Sequence, residues 1–164
     1  MRDGRPFSPR SIKEFKVLPK VAQALKKLRS AGFKIIVVTN QPDVGAGKQS
    51  RSAVEAIHKK IVLELSPDAI KVCYHTEAEG CDCRKPKPGM LLQAAAEEFI
   101  DLKKSFMIGD RWRDIQAGKA AGCGTILIKS DYKEKEARDP DAVAASLFEA
   151  SQLILSGLPL KRKK

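Results

Sequence analysis

The chain has 164 residues, 43% of them hydrophobic, and a net charge of +11. Its length and apolar fraction suit one compact domain, taken as residues 1–164, with no internal repeat or low-complexity linker to mark a second. The charge sits at the ends: residues 1–34 hold ten Lys/Arg against two Asp/Glu, and the basic tail (156–164) closes on four cations at 161–164. The middle is therefore near neutral, and with 5% aromatic residues for base stacking, nucleic acid is not an expected partner.

The periodic signals alternate between helix and strand. Residues 17–29 carry apolar side chains at Val21, Ala24, Leu25 and Leu28, a helical stripe stopped by Gly32. The β-branched run 34–40 reads as a buried parallel strand, and 49–65 as a helix with Ser50 or Ser52 as N-cap. A strand over 69–73, a helix from Pro88 to Ile100, a strand over 105–108, a helix over 113–121 and a strand over 125–128 follow. Asp139-Pro140-Asp141 predicts the start of a last helix, with Asp139 as cap and Pro140 in the first turn. Such alternation predicts an α/β fold, a doubly wound and mostly parallel sheet.

Residues 1–30 lack a signal-peptide core, and the apolar runs are too short to span a bilayer, so the expectation is a cytoplasmic protein with no membrane partner. In a reducing compartment clustered cysteines are more often metal ligands than disulfides. Cys73, His75, Cys81 and Cys83 fall within eleven positions, a loop (73–83) that reads as a structural Zn2+ site with four protein ligands and no open coordination position. Cys123, in an Ala/Gly-rich stretch, reads as a small core residue.

In a doubly wound sheet, ligands bind beyond the carboxyl ends of the strands. The polar residues predicted there are Thr39-Asn40-Gln41, then Arg84-Lys85, then Gly109-Asp110-Arg111 with Asp114. A hydroxyl, several cations and one or two carboxylates on one rim suit a phosphate group with a divalent cation: Asp110 as a hard oxygen ligand, Arg84 and Lys85 as charge partners, Thr39 as a donor. Asp114 is open to a second reading, a first-turn carboxylate favoured by the helix dipole.

The segments Val37-Val38-Thr39-Asn40-Gln41, Cys83-Arg84-Lys85-Pro86-Lys87-Pro88-Gly89-Met90 and Met107-Ile108-Gly109-Asp110-Arg111-Trp112-Arg113-Asp114 resemble the second, third and fourth motifs of haloacid-dehalogenase-type phosphatases. The C-x-H and C-x-C loop between them is similar to that of the zinc-loop branch, which holds heptose bisphosphate and histidinol phosphate phosphatases. The resemblance, covering roughly residues 15–130, implies a Rossmann-like core without a cap domain. It implies catalytic roles for Thr39 and Lys85, substrate contacts from Thr39, Asn40, Arg84, Lys85 and Arg111, and catalytic Mg2+ on Asp110 and possibly Asp114. The expected partner is a small phosphorylated sugar and the expected state a monomer. Heptose bisphosphate is the first substrate implied and histidinol phosphate the second. A polynucleotide 3′-phosphatase is disfavoured by the near-neutral middle.

Members of that family carry Asp-x-Asp-Gly at the end of the first strand, the first aspartate being the nucleophile. Here only Met1-Arg2-Asp3-Gly4 approaches it, with methionine in the nucleophile's place. The family's first strand lies between the strand ending at Thr39 and the one ending at Gly109, so its absence is expected to leave both without a ladder on one side. The expectation is an N-terminally truncated phosphatase domain, inactive as it stands. The alternative is a zinc-stabilised, phosphate-binding pseudoenzyme.

Overall fold

The computed structural model describes residues 8–131 and 134–157; the Met1-Arg2-Asp3-Gly4 segment and the basic run at 161–164 lie outside the described residues. In chain order the elements are α1 (Val21–Ser30), β1 (Ile36–Asn40), α2 (Pro42–Gly45), α3 (Arg51–Leu65), β2 (Ala69–Cys73), α4 (Gly89–Glu98), a 3-10 turn (Leu102–Lys104), β3 (Phe106–Gly109), α5 (Trp112–Ala121), β4 (Gly124–Ile128), β5 (Ala142–Ala144) and α6 (Leu147–Leu155).

Among the described residues the strands form two parallel sheets that do not join. β1 pairs with β2, from Ile36 opposite Ala69 to Asn40 opposite Cys73. β3, β4 and β5 form the other sheet, with Phe106 opposite Gly124 and Ile126 opposite Ala142. The first residue past β1, Gln41, donates its N–H to Cys73 O at 2.7 Å, so by alternation Ile36, Val38 and Asn40 turn their backbone groups away from β2. Gly124 N–H likewise reaches Ser105 O, which turns Phe106 and Ile108 away from β4. Those two open edges face a cavity of about 970 Å³, lined by Leu25, Val37, Val38, Met107 and Ile108 among others. Among the described residues the interruption falls between β1, which ends at Asn40, and β3, which ends at Gly109; the resemblance puts the family's first strand between the strands ending at Thr39 and Gly109.

The two sheets are anchored differently. The three-stranded one rests on a buried cluster of Leu28, Ile126, Ala144, Ala150 and Ile154, joining β4 and β5 to α1 and α6. Each fully buried aliphatic side chain there contributes on the order of 1.5–3 kcal/mol. The two-stranded one is half-buried along all of β1, and of β2 only Cys73 is fully buried. On one face, Leu91 of α4, Met107 and Ala117 form a second cluster that takes in Val38, so α4 packs across the break.

Two expectations need correcting. The first helix starts at Val21 rather than 17, because Lys20 at the N-cap has φ 62, a left-handed backbone that no helix continues through. Asp139-Pro140-Asp141 starts a strand rather than a helix. The Asp141 carboxylate accepts from both the N–H and the hydroxyl of Thr125, each at 2.8 Å, which lays Ala142–Ala144 alongside β4. The last helix begins after Ser146, whose hydroxyl accepts from Glu149 N–H while the Glu149 carboxylate accepts from Ala145 N–H. Ser50, as expected, caps α3 by accepting from Ala53 N–H. Among the described residues no helix is long and apolar enough to cross a membrane.

Candidate active site

The ligand atoms of Cys73, His75, Cys81 and Cys83 all lie within 4.8 Å of one another. Sulfur–sulfur separations of 3.7 Å (Cys73–Cys81) and 3.4 Å (Cys81–Cys83) and nitrogen–sulfur separations of 3.7 and 3.2 Å from His75 Nδ1 surround a common centre. Zn–S bonds of about 2.3 Å in a tetrahedron give edges of about 3.8 Å, so the four residues fit a zinc ion. Burial pushes the Cys73 thiol up to about 12, so only an electropositive partner at this centre would make its thiolate cheap. Burial likewise raises Cys123, to about 11, but among the described residues no ligand cluster includes it. It is half-buried, packed against Leu91, Met107 and Ala117 at the edge of the core.

The chain leaves this cluster through a tight loop that delivers Lys85. Arg84 donates from Nη1 to His75 O at 3.2 Å, and Lys87 Nζ donates to Gly80 O and to the Asp82 carboxylate. Gly89 lets the loop close: its N–H reaches Asp82 O at 3.1 Å, and a Cβ there would collide with that carbonyl. Asn40, at the end of β1, brackets the lysine's backbone. Its Nδ2 donates to Lys85 O at 3.0 Å, and its Oδ1 accepts from Lys85 N–H at 3.1 Å.

Lys85 itself is buried, at 8% exposure. Its Nζ donates to Val38 O at 2.8 Å, a carbonyl on the open edge of β1, and pairs with Asp114 Oδ1 at 2.7 Å. One side chain thus spans from the two-stranded sheet to the helix that follows β3, and this brings the carboxyl ends of β1 and β3 to one place. Asp114 is also buried, and its second oxygen accepts from Arg111 N–H at 3.1 Å. Both oxygens are engaged, the geometry of a residue that fixes Lys85 and caps α5. Gly109 makes room for it, since a Cβ at that position would overlap the Asp114 carboxylate.

Asp110 lines the mouth of the cavity. It is solvent-accessible on one side, yet the protein packed around its base, and then the Asp114 charge, raise its carboxyl above the ordinary range. Thr39 presents its hydroxyl on the same rim, accepting from Gln41 Nε2 at 3.2 Å, which leaves the hydroxyl proton for another acceptor. The buried Gln41 Oε1 has no partner.

The sequence-predicted residues thus divide. Thr39, Lys85, Asp110 and Asp114 meet at one rim. Arg84 gives one bond, from Nη1, to the cysteine loop, and Asn40 holds the Lys85 backbone. Arg111 binds Glu134 rather than facing the mouth unaccompanied: its Nε donates to Glu134 Oε2 at 2.8 Å and its Nη2 also bonds that carboxylate. Glu134 is the residue that sequence reasoning passed over, because it lies in a run of charged residues with no spacing signal, whereas Gln41 was already among the polar residues expected at the end of β1.

A parallel α/β core whose strand ends gather a hydroxyl, a buried lysine and a Gly-Asp turn defines a phosphatase of the haloacid-dehalogenase type. A HAD-hydrolase-like family model matches residues 82–150. A D-glycero-beta-D-manno-heptose-1,7-bisphosphate 7-phosphatase of Pseudomonas aeruginosa is 30% identical over 154 residues, spanning 91% of this chain and 86% of its own. The enzyme of the same name from Pasteurella multocida is 38% identical over 131 residues, 73% of this chain and 71% of its own. The crystal structure of D,D-heptose 1,7-bisphosphate phosphatase from B. bronchiseptica, complexed with magnesium and phosphate, has a TM-score of 0.77 at 30% identity, over 90% of this chain and 88% of that one. The chain belongs to the haloacid-dehalogenase-type phosphatases, in the branch of the heptose bisphosphate phosphatases.

Proposed function

We propose that this domain removes the 7-phosphate of D-glycero-D-manno-heptose 1,7-bisphosphate or a closely similar sugar phosphate, with an aspartate nucleophile carried on a strand that fills the slot between β1 and β3. The observation that carries this reading is the place of the slot. It opens where Thr39, Lys85 and Asp110 meet, and it is bounded by apolar side chains and two parallel edges that are unpaired among the described residues. An extended segment there satisfies both edges and ends at the rim. The relatives named above support the substrate.

In this reading the strand's terminal aspartate attacks phosphorus, and a second carboxyl group two residues on, in its acid form, gives its proton to the departing sugar oxygen and becomes the carboxylate. Water then hydrolyses the acyl phosphate, returning the carboxylate and releasing phosphate. Lys85 places a fixed positive charge beside the phosphoryl oxygens, and Thr39 donates its hydroxyl proton to one of them. Asp110 supplies the hard oxygen that would hold magnesium, and the magnesium-and-phosphate complex of the B. bronchiseptica structure supports the ion. When bound, that ion neutralises phosphoryl charge. Asp114, with both oxygens engaged, acts through Lys85. The zinc cluster holds the loop that delivers Lys85. The protein works in the cytoplasm, as a monomer.

The test is phosphate release with magnesium by the chain as it stands and by a version extended ahead of Met1 with an apolar strand ending in Asp-x-Asp-Gly. The extended protein turns over the heptose bisphosphate faster than histidinol phosphate or a DNA 3′-phosphate, and the unextended one does not. Equal turnover by both, or none by the extended protein, would sink the reading.

A further inference from the structure

The slot changes character along its length. Its rim holds Thr39, Lys85 and Asp110, while Phe33, Phe99 and Phe106 line it towards the amino ends of β1 and β3. Phe33 and Phe106 meet edge to face, with ring centroids 6.1 Å apart, and rest on the cluster that joins β4 and β5 to α1 and α6. Phe99 belongs to the other face of the sheets. It ends α4, whose Leu91 packs with Met107 and Val38 in the second cluster. Phe33 and Phe106 are half-buried, but Phe99 is 94% exposed among the described residues.

Local preference does not account for a phenylalanine there. Its backbone is left-handed, with φ 54 and ψ 50, a conformation that glycine or asparagine adopts at lower cost than a bulky side chain. The position is nevertheless held firmly. Lys34, two residues ahead of β1, donates from Nζ to Glu98 O at 2.8 Å and pairs with the Glu98 carboxylate at 3.3 Å. On the other side the 3-10 turn Leu102–Lys104 leads into β3. The ring is thus fixed between the entrances of two strands, in a costly conformation and with almost no packing to offset it.

We propose that Phe99 closes the amino end of the slot over the segment that enters it, and that the first two residues of the entering strand are large and apolar, one turned to Phe99 and the next to the Phe33–Phe106 pair. Successive side chains of a strand point to opposite faces, and here both faces are lined by aromatic rings. The occupant follows from continuity, since Phe99 lines the same cavity as the two open edges, and a strand parallel to β1 and β3 enters from this end. The strand and its direction rest on the function proposed above.

Thermal melting of the chain as it stands and of the Asp-x-Asp-Gly-extended protein, its strand beginning Leu-Leu, tests this contact. Amide exchange at Val38 and Ile108 reports whether the strand has entered. In the chain as it stands, Phe99→Asn raises the melting temperature by about 2 °C, because easing the backbone is its main effect. In the extended protein the same change lowers it by about 5 °C, and Phe99→Leu, which keeps an apolar contact, loses about half as much. With Ser-Ser in place of Leu-Leu, the loss on Phe99→Asn disappears. A shift of the same sign and size in both proteins, with Val38 and Ile108 protected in the extended one, overturns the contact and leaves the functional reading standing. A melting temperature of the unextended chain that rises with protein concentration, and no longer does so in Phe99→Asn, assigns the ring to a second copy and also overturns it. Absence of protection at Val38 and Ile108 is instead the failure of the functional reading, and the entering segment falls with it.

Discussion

The two sheets that face each other across the slot are built on different principles. β3, β4 and β5 lean on α1 and α6 through a buried aliphatic cluster that needs no ligand. β1 and β2 are half-buried except at Cys73, where β2 enters a cysteine cluster that fits a metal ion, and at the carboxyl end Lys85 ties β1 to α5 by reaching Val38 and Asp114. One half is a hydrophobic platform that carries Asp110. The other is a polar arm that carries Thr39 and Lys85, and the site exists only where the two are brought together.

If that contrast is right, metal removal acts on one side. Stripping zinc with a chelator, or Cys83→Ser, is expected to cost several kcal/mol of local order in β1, β2 and 74–88, since ligation energy is folding energy at such sites. Amide exchange over Phe106–Ile128 stays near its starting rate. A uniform loss of protection across both sheets would break the distinction.

The next largest effect lies at the tie itself. Lys85→Met leaves Asp114 buried without its cation, and loss of one partner of a buried pair costs about 3–5 kcal/mol. Thermal melting reads the loss, and Lys85→Met/Asp114→Leu recovers part of it. Recovery without phosphate binding separates the structural role of the pair from the charge that Lys85 offers. Gly109→Ala pushes on the same carboxylate from the other side, with an expected cost of about 1–3 kcal/mol as the added Cβ displaces Asp114. A melting temperature equal to the parent's would show that Asp114 has other room to occupy.

Glu134 gives the smallest effect and the one with a pH signature. Its folded carboxyl is held below its ordinary value by Arg111, so its contribution is present above the unfolded value and is lost as pH falls through the folded one. Glu134→Gln therefore lowers stability by about 1 kcal/mol near neutrality, and the difference from the parent shrinks to nothing in acid. A pH-independent difference would mean that packing, not the ion pair, holds this residue.

Much of this was legible in the sequence, and the exceptions have physical causes. The strand and helix alternation, the Ser50 cap and the clustering of Cys73, His75, Cys81 and Cys83 follow from local patterns that tertiary structure leaves alone. The strand Ala142–Ala144 was not legible, because its three small residues carry no periodicity and the preceding Asp-Pro-Asp resembles a helix start. The tertiary bond from Asp141 to Thr125 decided it, while Ser146 with Glu149, the real capping pair, was written a few residues later. At the site, motif positions told which residues gather but not what each touches. Asn40, Arg84 and Arg111 are all near the rim, and each bonds another part of the chain, Arg84 through Nη1 alone among the described residues. Only coordinates reveal such commitments.

The most direct test of the slot is amide exchange at Val38, Asn40, Phe106 and Ile108, the residues whose backbone groups face it. In the chain without the added strand these amides exchange quickly for residues of a sheet, while in the Asp-x-Asp-Gly-extended protein they gain at least about a hundredfold protection, the signature of new ladder bonds on both edges. Unchanged exchange at these four positions in an otherwise folded, extended protein would contradict the account.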